Sequence, residues 1–339
     1  LKKKRATITD IAEELGVSPS TVSRALNDHP AISKKTKKAV LKLARQRNYQ
    51  PNLLALNLLK KRTNTIGVIV PEITSHFFSS VINGIQDLVK PFGVNMIIGQ
   101  SNESYEEEKS IVQTFASIRV DGFLISPSSE TKKYDHLESL IQNNIPLVIF
   151  DRDCEGIDID KVFVDEYNGA FQAVEYLIQS GCKRIAHIAG SQTLSTARHR
   201  LRAYKDALEK HSIPFNADYV VQTDGFSPEY GIEPTRRLLS LQTPPDAIFT
   251  INDGVAIGAM YVIKDAGIKI PEEISIIGFD DDPHSTYFKP SLSTVWQPTY
   301  EMGMLAARIL MKRINTNNDL SKIRVESLFP ELIVRGSSM

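Results

Sequence analysis

Ser20, Thr21, Ser23 and Arg24 crowd the polar side of one short amphipathic run, and their types suit a single chemistry. Three small hydroxyls and a guanidinium that can form two parallel bonds are donors able to reach base edges in a DNA major groove. Thr9, Ser18, Pro19, Asn27 and Lys34 border them and are expected on the same duplex, with Lys34 on phosphate. A second set stands directly after short apolar runs. Ser75, Phe77 and Phe78 follow VIVP, Asp151 and Arg152 follow PLVIF, Arg198 follows RIAHIAG, and Phe226 follows YVVQTD. Asn252, Asp280 and Gln297 follow AIFTI, ISIIGF and LSTVW. In open parallel sheets ligands sit beyond the carboxyl ends of the strands. Rings that cover the C–H face of a sugar, with Asp, Asn, Gln and Arg to meet its hydroxyls, are what a monosaccharide pocket needs. Taken singly these residues have plainer roles, the phenylalanines as core and Asp280 as a strand-end cap. Their recurrence at successive strand ends makes them a set.

Catalysis has little support in the same residues. The chain holds no G-x-G-x-x-G, no Walker A sequence and no H-E-x-x-H, and its seven histidines are too scattered to share a metal. No enzyme, metal or cofactor is expected. His199 and His284 read as hydrogen-bonding or surface residues, and Cys154 and Cys182 as separate reduced thiols of a cytoplasmic protein.

Three helices are needed to present the first set. Thr7 with Asp10 forms a capping box, Ile11, Ala12 and Leu15 make an apolar face, and the helix ends near Gly16. Ser18 caps the second helix, with Pro19 at its first position. Val22, Ala25 and Leu26 face the partner helix, so the donors are left free. A third helix runs from Ser33 to Pro51, burying Val40, Leu43 and Ala44. Residues 1–62 carry 15 Lys and Arg against 4 Asp and Glu, whereas the rest carries 25 against 36, so the overall neutrality hides a basic block suited to phosphates. The next segment, Asn52 to Arg62 (NLLALNLLKKR), is leucine-rich without a nearby partner helix and needs a second copy of itself, or DNA, to cover it.

The second set needs parallel sheets. From Thr65 onward β-branched runs (TIGVIVP, VNMIIG, GFLISP, PLVIF, VFVD) alternate with helical stretches, and RIAHIAG, YVVQTD, AIFTIN and ISIIGF repeat the plan. Such alternation implies two doubly wound lobes with helices on both faces. With 42% hydrophobic residues among 339, the chain can build two or three compact units, and no apolar run approaches the ~20 residues of a membrane helix. No membrane association is expected, and no export signal is evident, although the initiator Met is absent.

TVSRALN, then YQPN, then the short leucine-rich segment before a strand ending VIVP together resemble the lactose repressor family, also called the galactose repressor family, and the likeness spans essentially the whole chain. The resemblance implies a helix-turn-helix domain over 1–51, a hinge helix over 52–63 and an effector-binding and dimerisation domain over 64–339. That last domain is a periplasmic-binding-protein-like clamp, with lobe 1 about 64–163 and 294–323 and lobe 2 about 164–293 and 324–339. The chain is expected to cross between the lobes near Val164, Ser293 and Arg324. In the hinge helix, Leu58 corresponds to a leucine wedged into the minor groove, Ala55 packs at the groove wall, Asn52 adds a contact, and Leu59 stands where relatives are often basic. The Asp280–Asp282 run reads as a sugar-facing strand end plus a turn. The strand-end set is similar to that of ribose-binding proteins, except that Ser75 replaces an asparagine and His76 a proline. Leu194 stands where the purine-responsive branch has an arginine.

The expected protein is a homodimeric transcription regulator, most simply a repressor, reading near-palindromic double-stranded operator DNA under the control of a small ribose-like carbohydrate. The short strand-like end, LIVRGSSM, suggests no tetramer-forming extension. Two alternatives stand beside this reading. A sugar-binding protein of a transport system would share the clamp but has no use for residues 1–62. A family member switched by a phosphoprotein partner would share everything but the free sugar.

Overall fold

The computed structural model describes residues 6–49, 62–316, 318–319 and 322–338, and the chain divides into two compact units, 1–63 and 64–339. The expected hinge helix over 52–63, with Asn52, Ala55, Leu58 and Leu59, lies outside the described residues except for its last two positions.

The first unit is three helices around one small core. In α1 (Ile8–Leu15) the Thr7 hydroxyl accepts from the Asp10 N–H at 3.2 Å, and Asp10 accepts from the Thr7 N–H at 2.7 Å. Gly16 closes it at φ 62°, a left-handed turn that a side chain resists. Ser18 caps α2 (Pro19–Leu26) by accepting from the Thr21 N–H, and Ser33 caps α3 (Lys34–Gln46) by accepting from the Thr36 N–H. The third helix stops at Gln46, short of the expected Pro51, because the chain turns through Asn48 at φ 50°. Ile11, Ala12, Val22, Ala25, Val40, Leu43 and Ala44 bury together.

In the second unit, lobe 1 contains β1 (Thr65–Val70), β2 (Asn95–Gln100), β3 (Phe123–Ile125), β4 (Leu147–Phe150), β5 (Asp160–Val164) and β11 (Val325–Leu328). They are parallel, in the order β11-β5-β4-β3-β1-β2. Successive residues of one strand feed opposite cores. Ile66, Val68 and Val70 meet α4 (His76–Val89) and α11 (Thr299–Asn315), while Ile69 joins the other core with α5 (Tyr105–Ser117) and α6 (Asp135–Gln142). Burial on both faces is why these strands read as nearly unbroken apolar runs.

Lobe 2 is a parallel sheet in the order β7-β6-β8-β9, from β6 (Ile185–Ala189), β7 (Val220–Gln222), β8 (Ala247–Thr250) and β9 (Ser275–Ile277). One face carries α7 (Glu166–Gln179) and α8 (Ser195–Lys210), the other α9 (Glu229–Leu239) and α10 (Asp253–Asp265). An antiparallel ribbon of β10 (Thr294–Trp296) and β12 (Glu331–Ile333) completes the unit.

The lobe boundaries need correction at two of the three crossings. The first follows β5, which ends at Val164 in the lobe 1 sheet. The second lies beyond Trp296 and not at Ser293, because β10 stays with lobe 2: Val295 is in that lobe's core and its carbonyl accepts from the Asp280 N–H at 2.9 Å. The third lies beyond Leu328 and not at Arg324, since β11 pairs in register with β5 at the edge of the lobe 1 sheet. Arg324 is itself fixed to lobe 1, its N–H donating to Asp160 at 2.8 Å and its carbonyl accepting from the Lys161 N–H.

Candidate functional site

In the helical unit, α2 buries Val22 and Ala25 and so turns its other side outward. Ser20, Arg24 and Asn27 are exposed, Thr21 and Ser23 half-buried, and Thr9, Ser18, Pro19 and Lys34 exposed beside them. The small hydroxyls are ordered by one another. Ser18 Oγ lies 2.8 Å from Ser20 Oγ and 2.9 Å from Thr21 Oγ1, and the Asn27 amide donates back to the Ser23 carbonyl at 2.9 Å. Together they form a compact polar face on a rigid helix, with Arg24 as its longest donor.

The second site is a half-open cavity of about 70 Å³ between the lobes of the larger unit. Its walls are the segments that leave the strands. Ser75, Phe77, Phe78, Asp151, Arg152, Phe226, Asn252, Asp280 and Gln297 line it, and Glu72, Glu103, Thr196 and Arg200 complete it. Nine of the ten expected residues thus meet in one place.

Lobe 1 supplies one half of the wall. Ser75 caps α4 by accepting from the Phe78 N–H at 3.3 Å, which presents Phe77 and Phe78 edge to face with centroids 5.0 Å apart. Asp151 follows β4 at φ 67° and accepts from Ser126 Oγ at 2.9 Å. Burial pushes its carboxyl up to about 6, with Arg152 pulling the other way. Arg152 forms a two-pronged pair with Glu103, at 2.7 and 2.8 Å, and also donates to the Pro127 carbonyl. Burial opposes the charge on Glu103, yet the Arg152 contacts and the Ser129 N–H outweigh it and hold that carboxyl below its ordinary range.

Lobe 2 supplies the other half. The Phe226 ring lies 5.8 Å from the Arg152 guanidinium, and the Asn252 amide ties Phe226 down by donating to its carbonyl at 2.9 Å while Asn252 caps α10. Asp280 leaves β9 at φ 108°, a conformation costly for any residue with a side chain, and accepts from Gln297 Nε2 at 2.7 Å. Burial raises its carboxyl well above the ordinary value despite Arg200 nearby. Gln297 is 2% exposed and its Oε1 has no hydrogen-bond partner, an acceptor left waiting in the cavity wall.

Arg198 is the exception and is corrected. Its guanidinium turns away to Glu155, at 2.5 Å, and to the Gln192 and Thr193 carbonyls. Arg200, two residues further along and on the opposite side of the helix, takes the cavity position. It donates to Glu166 at 2.7 Å and to the Ile251 carbonyl, lies over Phe279 at 3.6 Å and stands 3.9 Å from Asp280. Of the two arginines in the sequence STARHR, only helix phase decides which faces inward. Glu103 had a readable signal, since it follows β2 as Asp151 follows β4.

The Asp280–Asp282 run divides between a residue that lines this cavity and a turn. Asp281 pairs with Arg335 at 2.6 Å, and Asp282 accepts from the His284 N–H. His199 and His284 line other surfaces or lie exposed. Among the described residues no group of His, Cys, Asp or Glu could hold a metal, and no helix is long and apolar enough to cross a membrane.

Residues 7–52 match the family described as Bacterial regulatory proteins, lacI family, and residues 174–338 the Periplasmic binding protein-like domain. A probable HTH-type transcriptional repressor, ExuR of Bacillus subtilis, is 36% identical over 98% of this chain and 98% of its own. The lac repressor dimer bound to operator and the anti-inducer ONPF superposes with a TM-score of 0.88 at 26% identity, covering 99% of this chain and 100% of that one. A LacI family transcriptional regulator from Enterococcus faecium, solved with bound ribose, gives 0.71 at 28% identity over 81% of this chain and 98% of that one.

Proposed function

Because this chain belongs to the lacI family of bacterial regulatory proteins and is a DNA-binding transcriptional repressor of that family, we propose that the cavity holds a small ribose-like carbohydrate whose binding sets the affinity for operator DNA. One observation carries this reading: Asp151 and Asp280, both in left-handed backbone conformations, and Gln297, whose Oε1 has no partner, line one cavity together with Phe77 and Phe226. Backbone strain at acceptors that line one cavity suits a ligand rich in hydroxyls. The bound ribose in the Enterococcus faecium relative supports the same class.

The repressor works as a homodimer, since one recognition helix covers a half-site and two copies read a near-palindrome. Ser20, Thr21, Ser23 and Arg24 of α2 read base edges, with Thr9, Ser18, Pro19, Asn27 and Lys34 around them. Asn52, Ala55, Leu58 and Leu59 form the hinge contact. A sugar that binds one arrangement of the two lobes better than another shifts the balance between them. A coupling of about 1 to 3 kcal/mol corresponds to a 5- to 150-fold change in operator affinity. The test is a titration of duplex binding across a panel of monosaccharides, with melting temperature as the parallel readout, because a ligand of the folded clamp raises it. At least one sugar should shift both. A panel that moves neither removes the carbohydrate from the mechanism.

A further inference from the structure

The carbohydrate reading leaves open the charge of the ligand, which the hydrogen bonds around the cavity restrict. Among the described residues two cations line it, Arg152 and Arg200, and both are already matched to the protein's own carboxylates. Both terminal nitrogens of Arg152 are engaged by Glu103, and its Nε faces Asp151 at 3.5 Å. Arg200 has Glu166 at 2.7 Å, the Ile251 carbonyl and, at 3.9 Å, Asp280. Asn252 and Gln297 each donate one of their two amide N–H groups within the wall, to the Phe226 carbonyl and to Asp280. Beside the hydroxyls of Ser75 and Thr196, the lining holds more acceptors than free donors: Gln297 Oε1 without a partner and the carboxylates of Asp151, Asp280 and Glu72.

We infer that this cavity takes uncharged or amine-bearing polyols and rejects sugar phosphates and uronates, and that Glu103 enforces the rejection by occupying Arg152 as a resident anion. The inference rests on the carbohydrate reading above. A hydroxyl or ammonium donates to the waiting acceptors, whereas an incoming anion meets carboxylates and can reach a guanidinium only by displacing Glu103 from a partly buried two-pronged pair. Glu103 is held for that task. Asn102 and Glu103 are consecutive non-glycine residues at φ 50° and 62°, and the Ser129 N–H donates to the Glu103 carboxylate at 2.7 Å. Two left-handed residues in a row are costly and persist only where surrounding contacts fix them.

Calorimetric titration of the full chain with common aldopentoses and aldohexoses, each beside its uronate, its phosphate and its amino derivative, tests the charge rule without any substitution. The sugar that binds should do so at least about tenfold more tightly than its anionic counterparts, a modest effect for one uncompensated charge in such a site. Its amino derivative should bind no worse. A uronate or phosphate that binds wild type as tightly as the neutral parent overturns the inference and leaves the carbohydrate reading standing. Silence across every member sinks the carbohydrate reading itself. Glu103→Gln, which keeps the shape but frees Arg152 from its counter-ion, should narrow the gap between neutral and anionic ligands about tenfold or more. Glu103→Asp, which keeps the charge, should preserve most of it. A folded Glu103→Gln protein with the wild-type gap removes Glu103 as the cause.

Discussion

Arg198 and Arg200 sit two positions apart on α8, which turns them about 200° from each other, so one meets Glu155 outside the cavity and the other Glu166 in its wall. The carboxylates opposite lead to a pH dependence with a definite sign. In the empty cavity Asp151 is pushed up to about 6, and Asp280 is raised as well. A hydroxyl donating to either one favours the ionised form, so ligand binding lowers both values and releases protons. The contribution of Asp151 to affinity should therefore be present above about pH 6 and fall as the pH drops through that value, with Asp151→Asn weaker but flatter across the range. Titrations from pH 5 to 8 check this, and a flat wild-type profile would exclude Asp151 as a ligand acceptor. Side chains set directly on strand ends were legible in the sequence because the strand fixes where the next residue goes. Arg200, in the first turns of a helix, was missed because the strand-end position favoured Arg198, although Ala197, Ala203, Tyr204 and Ala207 put Arg200 in phase with the buried face.

Among the elements, α4 and α11 meet at two glycines. A Cβ on Gly84 would lie 2.1 Å from the Tyr300 carbonyl oxygen, and one on Gly303 2.1 Å from that of Val81. Backbone atoms cannot move aside as a side chain can, so Gly303→Ala must push the helices apart and loosen the layer over Ile66, Val68 and Leu124. The expected loss is about 1 to 3 kcal/mol, read as a lower melting temperature, with the duplex affinity of whatever remains folded little changed. A variant that melts with wild type would show that the two helices have room to separate. Element types were legible here because two-sided burial writes apolar runs into the strands. The ends of lobe 1 were not. Strand β11 is VESL, mostly exposed at a sheet edge, and without an apolar run it looks like linker.

At the scale of the whole molecule, charge is divided between the functions. The first 62 residues hold 15 Lys and Arg against 4 acids, and the remainder 25 against 36. Duplex affinity should fall by roughly 10³-fold or more between 50 and 200 mM salt if six or more phosphates are contacted, whereas affinity for an uncharged effector should scarcely change. Parallel titrations at the two salt concentrations decide it, and a weak salt dependence on DNA would contradict phosphate contact by the basic block. The two-unit division was legible from this asymmetry alone.

The order in which the lobes share the chain also shapes how the protein is made. Lobe 1 begins at β1 but lacks α11 and its edge strand β11 until residues 299–328 have been added, after lobe 2 has been laid down almost entirely between Glu166 and Trp296. On the ribosome, the half that starts first must therefore finish nearly last, and its early strands wait half-covered while the intervening half folds. Neither half can be expressed as one uninterrupted stretch of the gene, and a single protease cut in the joint leaves the two still tied by the other crossings.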